Sequence, residues 1–146
     1  KRGVKVTVIL VGFSDVPFIK PAMTYLYDWM LRNNITIYEW QNSVLHGKLA
    51  IADGYWTTIG SYNLNALSDY GSLEVNVEVF DKDFAAATEQ LLQHYIQTGC
   101  IQVSKEQYLK NKNWFSQFGR WFSYVLIRMA LRILFGLMQI RRPSHF

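Results

Sequence analysis

The sequence predicts an α/β (α+β) fold, a mixed β-sheet flanked by helices, closed by a C-terminal amphipathic helix. Three observations predict it. Residues 4–39 read as strand, helix, strand, the pattern of a βαβ crossover. Residues 45–80 read as three short strands separated by turn-forming residues. Residues 114–140 lack proline and carry aromatic and Arg side chains at helical spacing.

Residues 4–11, VKVTVILV, are a near-continuous apolar run, as in a strand buried in a mixed or parallel sheet. Gly12 ends it. Ser14 or Asp15 is suited to cap the next helix, and Pro17 to its first turn. That helix is expected to reach Arg32 and to stop at Asn33-Asn34, and residues 35–39 alternate as a strand. Residues 40–44 lead as a loop into an alternating strand over 45–52. Residues 57–61 make the next strand, 65–71 (NALSDYG) a polar loop, and 73–80 (LEVNVEVF) a third strand. Asp81 reads as an N-cap for a helix to about Gln97, with Gly99 after it. Ser104-x-x-Gln107 resembles a capping box opening a short helix. Residues 1–103 are therefore read as one lobe and 104–146 as a basic helical segment.

Charge divides the chain. Residues 1–104 hold seven Lys/Arg and ten Asp/Glu, while 105–146 hold eight Lys/Arg and one Glu. A protein tracking a phosphate backbone needs a basic groove, so the acidic balance of the first part argues against a nucleic-acid partner. The one cysteine, Cys100, cannot form an internal disulfide. No Cys/His cluster has metal-ligand spacing, so neither metal nor cofactor is expected. The chain opens on Lys1 with a strand almost at once. It is expected to be part of a longer protein, with no signal peptide at this end.

The chemistry concentrates in residues 45–80. His46, Lys48 and Asp53 are spaced H-x-K-x4-D, and Gly60-Ser61 and Asn63 follow. Side chains two apart on a strand share a face, so His46 and Lys48 should point the same way. Histidine is able to attack a phosphate as a nucleophile, and a lysine supplies positive charge where negative charge gathers. Gly60 admits close backbone approach, and Ser61 and Asn63 add neutral donors to the same phosphate. Glu74, Asn76 and Glu78 share one face of the third strand. A carboxylate there can bond the far ring nitrogen of His46 and fix its tautomer. Asp53 precedes Gly54, a common turn dipeptide, and its part is to hold that turn. Taken singly, each residue has a bland reading: a solvated His/Lys pair, or a Gly-Ser turn. Jointly, at these spacings, they indicate a phosphodiester site.

The set is similar to the HKD motif of the phospholipase D superfamily. Its flanks LHGK, GSYNLN and LEVN resemble the second lobe of the cardiolipin synthases, over roughly residues 1–95. The resemblance implies one phospholipase D lobe with catalytic His46, Lys48, Asp53 and Glu74, the last as partner of the histidine. It implies a phosphate held by His46, Lys48, Ser61 and Asn63, with Ser14, Asp15 and Lys20 candidates for the mouth of the site. Family members bring two such motifs together, one His forming a phosphohistidine and the other acting as general acid and then base. A single H-x-K is half a site, completed by a second lobe of the same full-length chain or by a homodimer. The implied reaction is phosphatidyl transfer from a phosphatidylglycerol-like phospholipid to a lipid alcohol. The alternative is a phosphodiesterase, or a dimeric single-motif nuclease. The loop ALSDYGS departs from the family, which carries a longer polar/Leu pattern there.

The implied location is peripheral, on a bacterial inner membrane, and the tail agrees. On a helix over 114–140, Gln117, Tyr124, Arg128, Arg132 and Gln139 fall on one side, with Arg120 near its edge. Trp114, Phe118, Phe122, Ile133 and Phe135 cover the rest. Arg128 and Arg132 break the apolar run, so the helix is read as lying in the interface of an anionic membrane rather than spanning it. Packing on protein is the competing reading.

Overall fold

The computed structural model describes residues 3–63, 73–110 and 113–140, without the side chains of 134, 135 and 137–140. The polar loop 65–71, the side chain of Phe135 and the basic end beyond 140 lie outside the described residues. Two compact units divide the chain, one from 1–45 with 93–127, the other from 46–92 with 128–146.

In the first unit, β1 (Thr7–Val11) runs parallel to β2 (Thr36–Trp40), and β6 (Cys100–Gln102) adds antiparallel to β2. The βαβ crossover is present. Its helix is two pieces, α1 (Ile19–Tyr25) and α2 (Tyr27–Arg32), which break at Leu26. Neither expected cap is used. Ser14 Oγ accepts from Val16 N–H at 3.2 Å, Pro17 lies in the turn before the helix, and Phe18 precedes α1 with φ 67°. Asn34, at φ 58°, ends α2 in the left-handed conformation that Asn tolerates. β6 is a strand the sequence reading missed. Gly99 leads into it because the Trp40 ring and the Asn42 side chain fill the space where a Cβ would stand.

Tyr27, Leu31 and Ile37 form the buried core, with Val8, Leu10, Met23 and Val103 packed around them. Tyr27 donates to Glu39 Oε1 at 2.8 Å, and Lys20 Nζ meets the same oxygen at 2.6 Å. Burial, reinforced by the Glu39 carboxylate, pushes the Tyr27 hydroxyl well above the usual phenol range. Burial likewise raises the Cys100 thiol.

Ser104 caps α4 (Lys105–Lys110) as expected, its Oγ accepting from Gln107 N–H at 3.3 Å. Over residues 117–124, long helix α5 (Trp114–Ile140) packs its more polar side inward. Arg120 Nη1 donates to Tyr108 Oη at 2.9 Å with its guanidinium over the ring, and Tyr108 in turn donates to Thr24 O at 2.8 Å. Tyr124 lies on Tyr25, ring centroids 4.9 Å apart, and Ser123 is buried. The apolar side faces out: Phe115, Phe118, Phe122, Leu126, Met129 and Ile133, in steps of three and four residues, are all exposed. No helix among the described residues is long and apolar enough to cross a membrane.

The second unit is an antiparallel meander of β3 (Leu49–Ala52), β4 (Trp56–Gly60) and β5 (Asn76–Phe80), leading into α3 (Lys82–Gly99). Asp81 caps α3 as expected, its Oδ1 accepting from Phe84 N–H at 2.7 Å. The sheet face carrying Leu49, Ile51, Thr57 and Val79 is the more buried. The opposite face, with Ala50, Thr58, Asn76 and Glu78, is open.

Candidate functional site

Regular strand begins at Leu49, later than the sequence suggests, so His46 and Lys48 precede it instead of lying within it. Gly47 between them gives the backbone no side chain with which to pack. Pairing still reaches Lys48, whose carbonyl accepts from Gly60 N–H at 3.1 Å. Lys48 thus lies opposite Gly60, and Gly60 lies opposite Asn76. Residues opposite one another in antiparallel strands share a face, so Lys48 and Asn76 flank the bare glycine on the open face of the sheet. The Lys48 ammonium folds back to donate to the backbone carbonyl His46 O at 2.9 Å. His46 is exposed and Lys48 half-buried.

The strand end is stitched from both sides. Ser61 N–H donates to Val75 O at 3.0 Å, and Ser61 Oγ accepts from Val75 N–H at 3.0 Å. The Ser61 hydroxyl in turn points its own proton back at Val75 O, at 3.5 Å. Asn63 follows two residues on and is exposed, while Glu74 is half-buried just before Val75. The register therefore gathers Lys48, Ser61, Asn63 and Glu74 at one end of the sheet, with His46 just before it.

Asp53 is not in that group. With Gly54 it makes the β3–β4 turn, φ 52° and 61°, closed by Tyr55 N–H on Ala52 O at 3.1 Å. Two successive positive φ values define a type I′ turn, which Asp-Gly adopts readily. At strand rise the turn lies about 16 Å from Lys48. Ser14, Asp15 and Lys20 belong to the first unit, where Lys20 is committed to Glu39 and to Val11 O at 3.1 Å.

The sequence reading gave Asn76 a face but no role. A Cβ on Gly60 would overlap the Asn76 amide and the Val75 carbonyl, so Gly60 is required by that close approach. The signal was available in principle, as a Gly and an Asn in neighbouring strands, but only the register places them opposite. Among the described residues, no group of three or more His, Cys, Asp or Glu is placed to hold a metal ion.

An α/β lobe that sets H-x-K beside G-S-x-N on an open sheet face is a lobe of the phospholipase D superfamily. Residues 1–96 match the family model described as cardiolipin synthase, PLD-like domain, and the chain belongs to that family. It is 35% identical over 116 residues to cardiolipin synthase B of Salmonella typhi, covering 80% of this chain and 28% of that protein. Against cardiolipin synthase B of Escherichia coli (strain K12) it is 33% identical, with the same coverage. Cardiolipin synthase A of Yersinia pseudotuberculosis is 25% identical over 114 residues, covering 78% of this chain and 23% of that protein. The chain thus spans about a quarter of the length of the curated relatives it matches. No solved structure matches it.

Proposed function

We propose that the chain is one lobe of a phosphatidyltransferase of cardiolipin synthase type. The pairing of Lys48 with Gly60 carries this reading, because it sets the H-x-K segment against the segment bearing Ser61 and Asn63. In the assembled site a ring nitrogen of one lobe's histidine attacks the lipid phosphorus. The alcohol leaves with a proton from the other lobe's histidine, and the phosphohistidine holds the phosphatidyl group. An incoming lipid alcohol gives its proton to that second histidine and displaces the first. His46 fills one of the two roles. Lys48, Ser61 and Asn63 bind the phosphate oxygens, Glu74 orients the His46 ring, and Asp53 acts at a distance by fixing the hairpin.

Two further features support the reading. β5 is an edge strand, and Val75 and Val77 on its apolar face are 72% and 60% exposed, a surface suited to packing against further protein, as a lobe of a larger enzyme would have. The apolar stripe of α5, beside Arg128 and Arg132, suits an anionic bilayer, which would make the protein a peripheral membrane enzyme. The test is phosphatidyl transfer by the full-length protein from phosphatidylglycerol in detergent. His46→Ala should abolish lipid product while leaving the melting temperature unchanged. Transfer at the wild-type rate would refute the assignment. Cleavage of DNA at low salt, without lipid transfer, would establish the nuclease reading in its place.

A further inference from the structure

The β4–β5 ladder reaches its last regular pair at Gly60 and Asn76. Beyond it the chain bends, and side chains replace backbone groups in holding the bend. Ser61 Oγ takes Val75 N–H. The next amide, Tyr62 N–H, donates to Asn76 Oδ1 at 3.2 Å. The same Asn76 side chain donates through Nδ2 to Thr58 Oγ1 at 3.2 Å. One carboxamide therefore grips residues 58 and 62, crossing directly over Gly60, where any side chain would overlap it. Both strands joined by this grip carry site candidates, Ser61 and Asn63 on one and Glu74 on the other.

We infer that Asn76 is the positioning residue of the site, a side-chain clamp that fixes residues 61–63 against the strand beginning after Glu74. The inference rests on the phospholipase D reading of the site. Asn76 acts through the Tyr62 amide and the Thr58 hydroxyl, and the consequence is the placement of Asn63 relative to Lys48 and Glu74. A leucine has the γ-branched shape of asparagine, with more bulk, but neither hydrogen bond. An aspartate keeps the acceptor for Tyr62 N–H, and the Thr58 hydroxyl is able to reverse and donate to its second oxygen. The three side chains thus separate filling the space over Gly60 from holding the bend.

The experiment is steady-state transfer by the full-length protein at varied phosphatidylglycerol in detergent, with a melting curve for each variant. Misplacing a reacting group by an ångström costs on the order of 100-fold in rate. Asn76→Ala and Asn76→Leu should lower kcat at least about tenfold with KM within about threefold, the mark of a contact that matters in the transition state. Asn76→Asp should recover kcat to within about fivefold of wild type, at a melting temperature close to that of the leucine variant. Wild-type kcat in the alanine and leucine variants overturns the inference. So does a loss that merely follows the folded fraction, with Asp and Leu behaving alike. His46→Ala in the same assay separates the two levels. If it too transfers normally, the site reading falls, whereas normal transfer by the Asn76 variants alone removes only the clamp.

Discussion

Replacing Phe115, Phe118 and Phe122 together by Ala tests what α5 is for. The three rings are 80%, 53% and 48% exposed. At about 200 Å² per Phe, they present roughly 360 Å² of apolar surface. At about 25 cal/mol per Å² that is a ceiling of about 9 kcal/mol. A helix lying in the interface buries only its lower side, and alanine keeps part of the area, so a loss of about 3–4 kcal/mol is the working figure. That is a fall in vesicle affinity of roughly 200- to 1,000-fold. The helix itself should survive, since Ala is the best helix former and these side chains face outward. The assay is co-sedimentation of the 146-residue chain with phosphatidylcholine vesicles and with phosphatidylcholine–phosphatidylglycerol vesicles. Arg132 is exposed beside the stripe, and Arg132→Gln should cost about 1 kcal/mol on the anionic vesicles alone, fading as salt rises. Arg120 should contribute little, because it is tied to Tyr108. Binding of the triple variant within twofold of wild type, at an unchanged melting temperature, would refute the membrane role and make the stripe a protein contact.

Gly60→Ala should destabilise the protein by about 1–3 kcal/mol, read by urea unfolding, because the new methyl must displace the Asn76 amide and the Val75 carbonyl. Phosphatidyl transfer should fall further than the loss of folded protein explains. Tyr27 makes stability pH-dependent at the alkaline end. Its hydroxyl stays protonated when folded and ionises near pH 10 when unfolded, so its contribution is complete below that pH and declines above it. Unfolding free energy should drop by about 1.4 kcal/mol per unit above pH 10 from this residue, and Tyr27→Phe should remove that share of the slope.

What the sequence revealed depended on how local the controlling interaction is. The Asp53-Gly54 turn, the Asp81 cap, the Ser104 cap and the stop at Asn33-Asn34 are decided within a few residues, and all four appear as expected. The βαβ crossover follows from hydrophobic pattern alone. The break at Leu26 does not, because Tyr27 is turned into the core to reach Glu39, an interaction twelve residues away. β6 was missed because three residues make a strand only when β2 offers an edge. The inward polar side of α5 is set by Tyr108 and Tyr25, and no helical projection contains them. His46, Lys48, Ser61 and Asn63 were visible as a motif. The clamp on Asn63's segment was not, since Asn76 gains its partners only from the register of two strands separated by the loop.

β5 joins these observations. Glu74, Asn76 and Glu78 alternate with Val75, Val77 and Val79 from just before it and along it, and residues 73–78 leave both sets largely uncovered. A short edge strand with one open polar face and one open apolar face is poorly stabilised alone. Each face therefore calls for its own cover. The polar one, with Lys48 and the Asn76 clamp beside it, suits a phosphate and the groups that process it. The apolar one, with Val75 and Val77 exposed, suits a protein contact. Disturbing the packed side should then be felt in the chemistry, through the Gly60–Asn76 crossing that ties β5 to the segment carrying Ser61 and Asn63.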